Sequence, residues 1–118
     1  MTRIPVDVTA PIACRATGGE LASRLDEIER LRDEAVSVER TGQGLLLSFE
    51  RDPAVEAQLE RFVVEENGCC QFWGFEVDPV ATALVLRWDG PGTAQPLLDD
   101  LHRFFTTDEP LTAFPGLL

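Results

Sequence analysis

An α+β fold, with an antiparallel sheet carrying helices on one face, is what the pattern of this chain predicts. Three observations lead there. Apolar residues recur at helical spacing in three separate stretches. Short β-prone runs come in pairs around turn residues. The order strand–strand–helix occurs twice, with Leu45-Leu46-Leu47-Ser48-Phe49 echoed by Leu84-Val85-Leu86-Arg87-Trp88. A length of 118 residues is enough for one domain, 1–118, with its core between about residues 6 and 105 and an irregular arm at 106–118.

Val6 to Ala13 alternates weakly and includes Pro11, which reads as an edge strand or extended lead-in to Cys14. Thr17-Gly18-Gly19-Glu20 has capping-box spacing, and Leu21, Leu25, Ile28, Leu31 and Ala35 follow as one apolar stripe. The charged residues between them read as a solvated helix face. Two β-prone runs, Val36 to Arg40 and Leu45 to Arg51, flank Thr41-Gly42-Gln43-Gly44, expected to be a hairpin turn using positive φ. Asp52-Pro53 should open a second helix as N-cap and first residue. Its stripe is Val55, Leu59, Phe62, Val63 and Glu66, with Asn67-Gly68 as the expected stop. Phe72 to Val77 and Ala83 to Trp88 should pair around Asp78-Pro79, before a third helix from Pro96 to Phe105. The arm has no period, but its Leu111, Phe114, Leu117 and Leu118 are suited to docking, on the chain itself or in a homodimer.

Composition excludes several roles. The net charge is −11, and every basic residue is an arginine. Such a chain repels phosphate, so nucleic acid is not an expected partner. No apolar run reaches the length of a membrane span, and the start lacks the pattern of a secretion signal. With three cysteines, an odd count, a secreted disulfide framework is not expected, and the cytoplasm is the expected location. There is no P-loop, GxGxxG, GxSxG or CxxC, and no carboxylate pair stands out by spacing for acid–base work.

The cysteines carry the chemical signal. Cys69 and Cys70 are adjacent, and a disulfide between neighbours closes a strained ring. Two thiols at a chain reversal suit a thiophilic ion better, and a third from Cys14 would make a trigonal site favouring Hg(II), Cu(I) or As(III) over zinc. Glu65 and Glu66 are candidates to support the ligands, and Phe72, Trp73 and Phe75 to keep water away. His102 sits between core and surface on the third helix and reads as a boundary residue. No arginine lies near the pair in sequence, and a helix C-terminus does not favour a thiolate, so a self-activated catalytic nucleophile is not expected. Three cysteines buried as ordinary core residues are the alternative.

The run Ile12-Ala13-Cys14, an amphipathic helix, and then Glu66-Asn67-Gly68-Cys69-Cys70-Gln71-Phe72-Trp73-Gly74-Phe75 resembles a family of small actinobacterial domains with a Cys…Glu-x-x-Cys-Cys-x-Phe-x-x-Phe signature. Those domains occur alone or fused behind mercury-resistance-type regulator modules. The likeness spans roughly Ile12 to Phe105. It implies heavy-metal binding through Cys14, Cys69 and Cys70, for sequestration, delivery or sensing, without turnover. A more distant resemblance is to organomercurial lyase, which has a repeated strand–strand–helix core and uses two cysteines and an acid. Thr17 stands where that acid would follow the first cysteine. Carbon–metal bond cleavage is therefore the enzymatic alternative, and a metal-free interaction module using the arm is the third reading.

Overall fold

The computed structural model describes residues 2–13 and 19–117. Five strands form one antiparallel sheet: β1 (Thr2–Ile4), β2 (Ser37–Arg40), β3 (Gly44–Glu50), β4 (Gly74–Val80) and β5 (Ala83–Asp89), in the order β1-β4-β5-β3-β2. Three helices, α1 (Gly19–Glu34), α2 (Pro53–Cys69) and α3 (Gln95–Thr106), complete the α+β fold. The two strand–strand–helix units meet along β3 and β5, where Leu45 faces Trp88, Leu47 faces Leu86 and Phe49 faces Leu84. The two segments that echo each other in sequence are therefore antiparallel neighbours at the centre of the sheet.

Alternation sets which side is core. Leu45, Leu47 and Phe49 of β3, Phe75 and Val77 of β4, and Leu84, Leu86 and Trp88 of β5 are all buried. They meet Ile28 and Leu31 of α1, Leu59, Phe62 and Val63 of α2, and Leu98, Leu101 and Phe104 of α3 in one cluster. Between them lie Leu46, Ser48, Val85 and Arg87, all half-buried on the opposite face of the sheet. No helix among the described residues is long and apolar enough to cross a membrane.

Several local expectations are corrected. The first strand is Thr2–Ile4, paired with Val77 to Phe75, and Val6 to Ala13 is not a strand. Pro5 follows Ile4 directly, and Asp7 turns the chain by accepting from the Thr9 amide (2.9 Å) and hydroxyl (2.6 Å). The Thr17 cap lies outside the described residues. Asp52 does cap α2, accepting from the Ala54 amide at 2.7 Å, with Pro53 in the first turn. Asn67-Gly68 does not stop α2, which continues to Cys69, and Gly68 does not take a left-handed φ. Nor does Asp78-Pro79 form the second hairpin turn. Both stay in β4, and the turn is Ala81-Thr82, with Ala81 at φ 42°. β1 pairs no further along β4 than Val77, so Pro79 lies where that side of β4 is a sheet edge and a missing N–H breaks no ladder.

The arm docks on its own chain. Leu111, Phe114 and Leu117 are buried, and Phe114 packs edge-on to Phe104 of α3, 6.1 Å between ring centres. Arg32 of α1 secures its start, donating to the Glu109 carbonyl at 2.7 Å while stacking 4.1 Å above Phe104. The core thus extends beyond residue 105.

The Thr41–Gly44 turn is held by the Thr41 hydroxyl oxygen, which accepts from the Gln43 and Gly44 amides at 3.3 and 2.9 Å, and neither glycine takes a left-handed φ. Gly44 is needed for space. A Cβ there would lie 1.8 Å from the Trp88 carbonyl oxygen, in the backbone of the neighbouring strand. Gly44→Ala is expected to cost about 2–3 kcal/mol, the range for overpacking a site that cannot yield. Gly42→Ala, with nothing within 4 Å of the added carbon, should not show a comparable loss. Denaturant midpoints of the two variants distinguish them, and equal midpoints would refute the account.

Candidate functional site

The end of α2 places the cysteine pair. Cys69 is the last helical residue, and Cys70 ends the helix with a non-helical backbone (φ −125°, ψ 85°), its amide donating to the Glu66 carbonyl at 2.7 Å. A tight reversal follows, in which the Trp73 amide donates to the Cys70 carbonyl at 3.3 Å. The Asn67 side-chain amide reaches over to the Trp73 carbonyl, also at 3.3 Å. Asn67 therefore braces the reversal instead of starting it.

Adjacent thiols on a turn face different surroundings. Cys70 is 2% exposed and belongs to the core cluster, whereas Cys69 is half-buried and lines a cavity. The aromatic residues expected to exclude water follow directly in the chain. Phe72, Trp73 and Phe75 are all buried. Phe72 and Trp73 are tilted against each other at 4.4 Å, and Trp73 meets Trp88 edge-on at 5.6 Å. Trp88 also contacts Phe62 and Phe75, at 5.6 and 5.3 Å. The indole N–H groups of Trp73 and Trp88 are buried with no hydrogen-bond acceptor among the described residues. These rings form one aromatic cluster in the core, which reaches the cavity through Phe62.

The cavity measures about 550 Å³ and lies between α1 and α2. Ser23, Arg24 and Glu27 line it from α1, facing Phe62, Glu65, Glu66, Gly68 and Cys69 from α2. Glu66 is the charged residue that ends an otherwise apolar stripe, and it is 2% exposed. Both of its carboxylate oxygens accept from Nε of Arg24, at 2.8 and 2.7 Å, with the two side chains 1% and 8% exposed respectively. Arg24 also donates through Nη1 to the Leu117 carbonyl at 3.1 Å. A guanidinium beside the C-terminal turn of a helix complements the partial negative charge there.

Across the cavity Glu27 faces Glu65. Burial raises the Glu27 pKa above the ordinary glutamate value, and the charge of Glu65 and a hydrogen bond to it raise it further, against opposing effects of Arg61 and Arg30. With three carboxylates against one guanidinium, the lining attracts cations and repels anions.

Of the expected set, Cys69, Cys70, Glu65 and Glu66 share the end of α2, while Phe72, Trp73 and Phe75 are buried in the core and do not line the cavity. Cys14 lies outside the described residues. Among the described residues, no group of three His, Cys, Asp or Glu side chains is placed to hold a metal ion. His102 is half-buried on α3 and does not line this cavity. Arg24 and Glu27 were missed by the reading that found no arginine near the cysteines, because they lie some forty positions away in sequence. One signal was present. Arg24 is four residues before Ile28 and Glu27 is four before Leu31, so both fall in register with the buried stripe of α1.

No protein-family model, curated protein or solved structure matches this chain.

The carboxyl pair yields a test. A glutamate whose folded pKa is raised costs the fold nothing below its unfolded pKa and loses stability as pH rises through the folded value. Glu27→Gln should therefore raise the melting temperature more at a pH well above the ordinary glutamate range than at about pH 3.5, below it. Thermal melts across that range check this, and an equal gain at both ends would contradict the proton-linked origin.

Proposed function

We propose that this domain binds a soft heavy-metal or metalloid ion through the thiolates of Cys14, Cys69 and Cys70, for sequestration, delivery or sensing. The observation that carries this reading is Cys69 at the edge of a cation-attracting cavity, with Cys70 next to it at the turn. A cationic ion is drawn in by the carboxylates and held by sulfur, the ligand type that selects Hg(II) and Cu(I); As(III) shares that preference for sulfur. The chain on both sides of Cys14 supports its inclusion. Val6 to Val8 border a cleft with Asn67 and Gln71, and Ser23 and Arg24 border the cavity with Glu66 and Cys69, so both flanking segments pass the same end of α2. The resemblance to the Cys…Glu-x-x-Cys-Cys-x-Phe-x-x-Phe domains agrees with this ligand set.

Carbon–metal bond cleavage is the second reading, and one observation favours it. Glu27 has a raised pKa in the same cavity as Cys69, as a proton donor would need. Release of the hydrocarbon from an organomercurial in a single turnover would establish it, and binding without product would exclude it.

Thiol titration of the reduced native protein, with and without one equivalent of Hg(II), Cu(I) or As(III), tests the binding reading. One ion should remove all three thiols from reaction and produce thiolate-to-metal absorbance in the near ultraviolet. Cys69→Ser with Cys70→Ser should weaken uptake by more than about a hundredfold, beyond the loss that a supporting group causes. Thiols that react only after denaturation, with no metal uptake, would identify three core cysteines and end the proposal.

A further inference from the structure

We infer that Arg24 is a positioning residue for the cysteine turn, and that it couples this turn to the docked C-terminal arm. The inference depends on reading Cys69 and Cys70 as the functional thiols, and it assigns that site a means of controlling access.

The connections are continuous. The backbone of Cys70 is held by the Glu66 carbonyl at 2.7 Å. The Glu66 side chain is held by Nε of Arg24 at 2.7 and 2.8 Å, and Nη1 of the same guanidinium donates to the Leu117 carbonyl at 3.1 Å. One side chain of α1 thus joins segments 42 and 93 positions away in sequence. Arg24 and Glu66 both line the cavity between α1 and α2, so the ion pair links the two helices there. The rigid planar fork of arginine suits the task, because it can serve a carboxylate and a carbonyl together. Leu117 is anchored in turn, being 5% exposed and donating its amide at 2.9 Å to the carbonyl of Phe114, which packs against Phe104 of α3.

An opening at either end is felt at the other. If the arm lifts, Arg24 loses an acceptor, Glu66 is less firmly held, and the turn that buries Cys70 loosens. If the turn is displaced, Glu66 moves from Arg24, and the arm loses its tie near residue 117. Access to the buried thiol is therefore governed by local opening of these parts and not by unfolding of the sheet.

The test compares iodoacetamide alkylation of each cysteine, located by fragmenting the shared peptide, with amide exchange over residues 111–117, all without metal. The double variant Arg24→Met with Glu66→Met removes both charges of the pair together, which is milder than removing one partner alone, so the fold should persist. In it, Cys70 alkylation and exchange in the arm are both expected to rise by about tenfold or more, the effect of losing a buried charged interaction on a local opening. Arg24→Lys keeps a cation on Glu66 but not the fork. It should restore much of the Cys70 protection while leaving the arm fast to exchange. Wild-type rates in the double variant would overturn the proposal, as would faster alkylation with an unchanged arm. Uniform acceleration through the sheet and helices would also overturn it, since the pair would then be a general stabiliser. Failure of the wild-type protein to take up Hg(II) would refute metal binding alone, because neither readout uses metal.

Discussion

The arrangement around the cysteines depends on the buried ion pair of Arg24 and Glu66. Taking two charges out of water costs several kcal/mol per ion, and the attraction between them recovers this only with good geometry and further hydrogen bonds. Here the geometry is close, 2.7 and 2.8 Å, and a carbonyl of the arm takes up another donor of the guanidinium. An apolar pair in the same places could be equally stable. What it would lack is direction, because methyl groups pack in many registers whereas a guanidinium meeting a carboxylate has few. The pair therefore selects one placement of α1 against the end of α2, and with it one shape for the cavity between them.

That selection operates on a core already well defined by ordinary packing. The central β3–β5 ladder joins the two strand–strand–helix units, and Trp88 lies where β5, α2 and α3 converge, touching Phe62, Trp73, Phe75 and Phe105. Among the buried residues described, Glu66 is the charged one, and it is met by Arg24 in the gap between α1 and α2.

Legibility in the sequence followed range. The α+β plan, with four of the five strands and all three helices, was readable because periodicity and turn residues are local signals, and the Asp52-Pro53 helix start is visible in two adjacent residues. Errors arose where a distant partner decided the outcome. Asn67-Gly68 looks like a helix stop, yet Asn67 braces the Trp73 carbonyl and Cys70 still donates to Glu66, so the helix runs on. Asp78-Pro79 looks like a turn, and only the short reach of β1 explains why a proline is acceptable in β4. Within the candidate site, Cys69, Cys70, Glu65 and Glu66 share one stretch and could be grouped by eye. Arg24 and Glu27 could not, since nothing local says which residues of a charged helix turn inward, although their register with the apolar stripe was the available hint.

The adjacent cysteines derive their interest from being unlike each other. Backbone geometry at a helix end sends consecutive side chains in different directions, so Cys69 reaches the cavity while Cys70 enters the core. A ligand approaching through the cavity meets Cys69 first, in a field set by Glu27, Glu65 and Glu66 against Arg24. Engaging Cys70 requires the turn to shift, and the turn is held through Glu66 by Arg24. On the proposed reading, arrival and capture are therefore separate events with separate determinants. Arrival depends on the carboxylates and weakens as salt screens them, whereas capture depends on the buried pair and is far less sensitive to salt. A site with both thiols fully exposed would bind in one step and discriminate only by affinity for sulfur. On the same proposed reading, a thiophile must also supply enough binding energy to open the turn, which favours ions that bridge two sulfurs over reagents that modify only one.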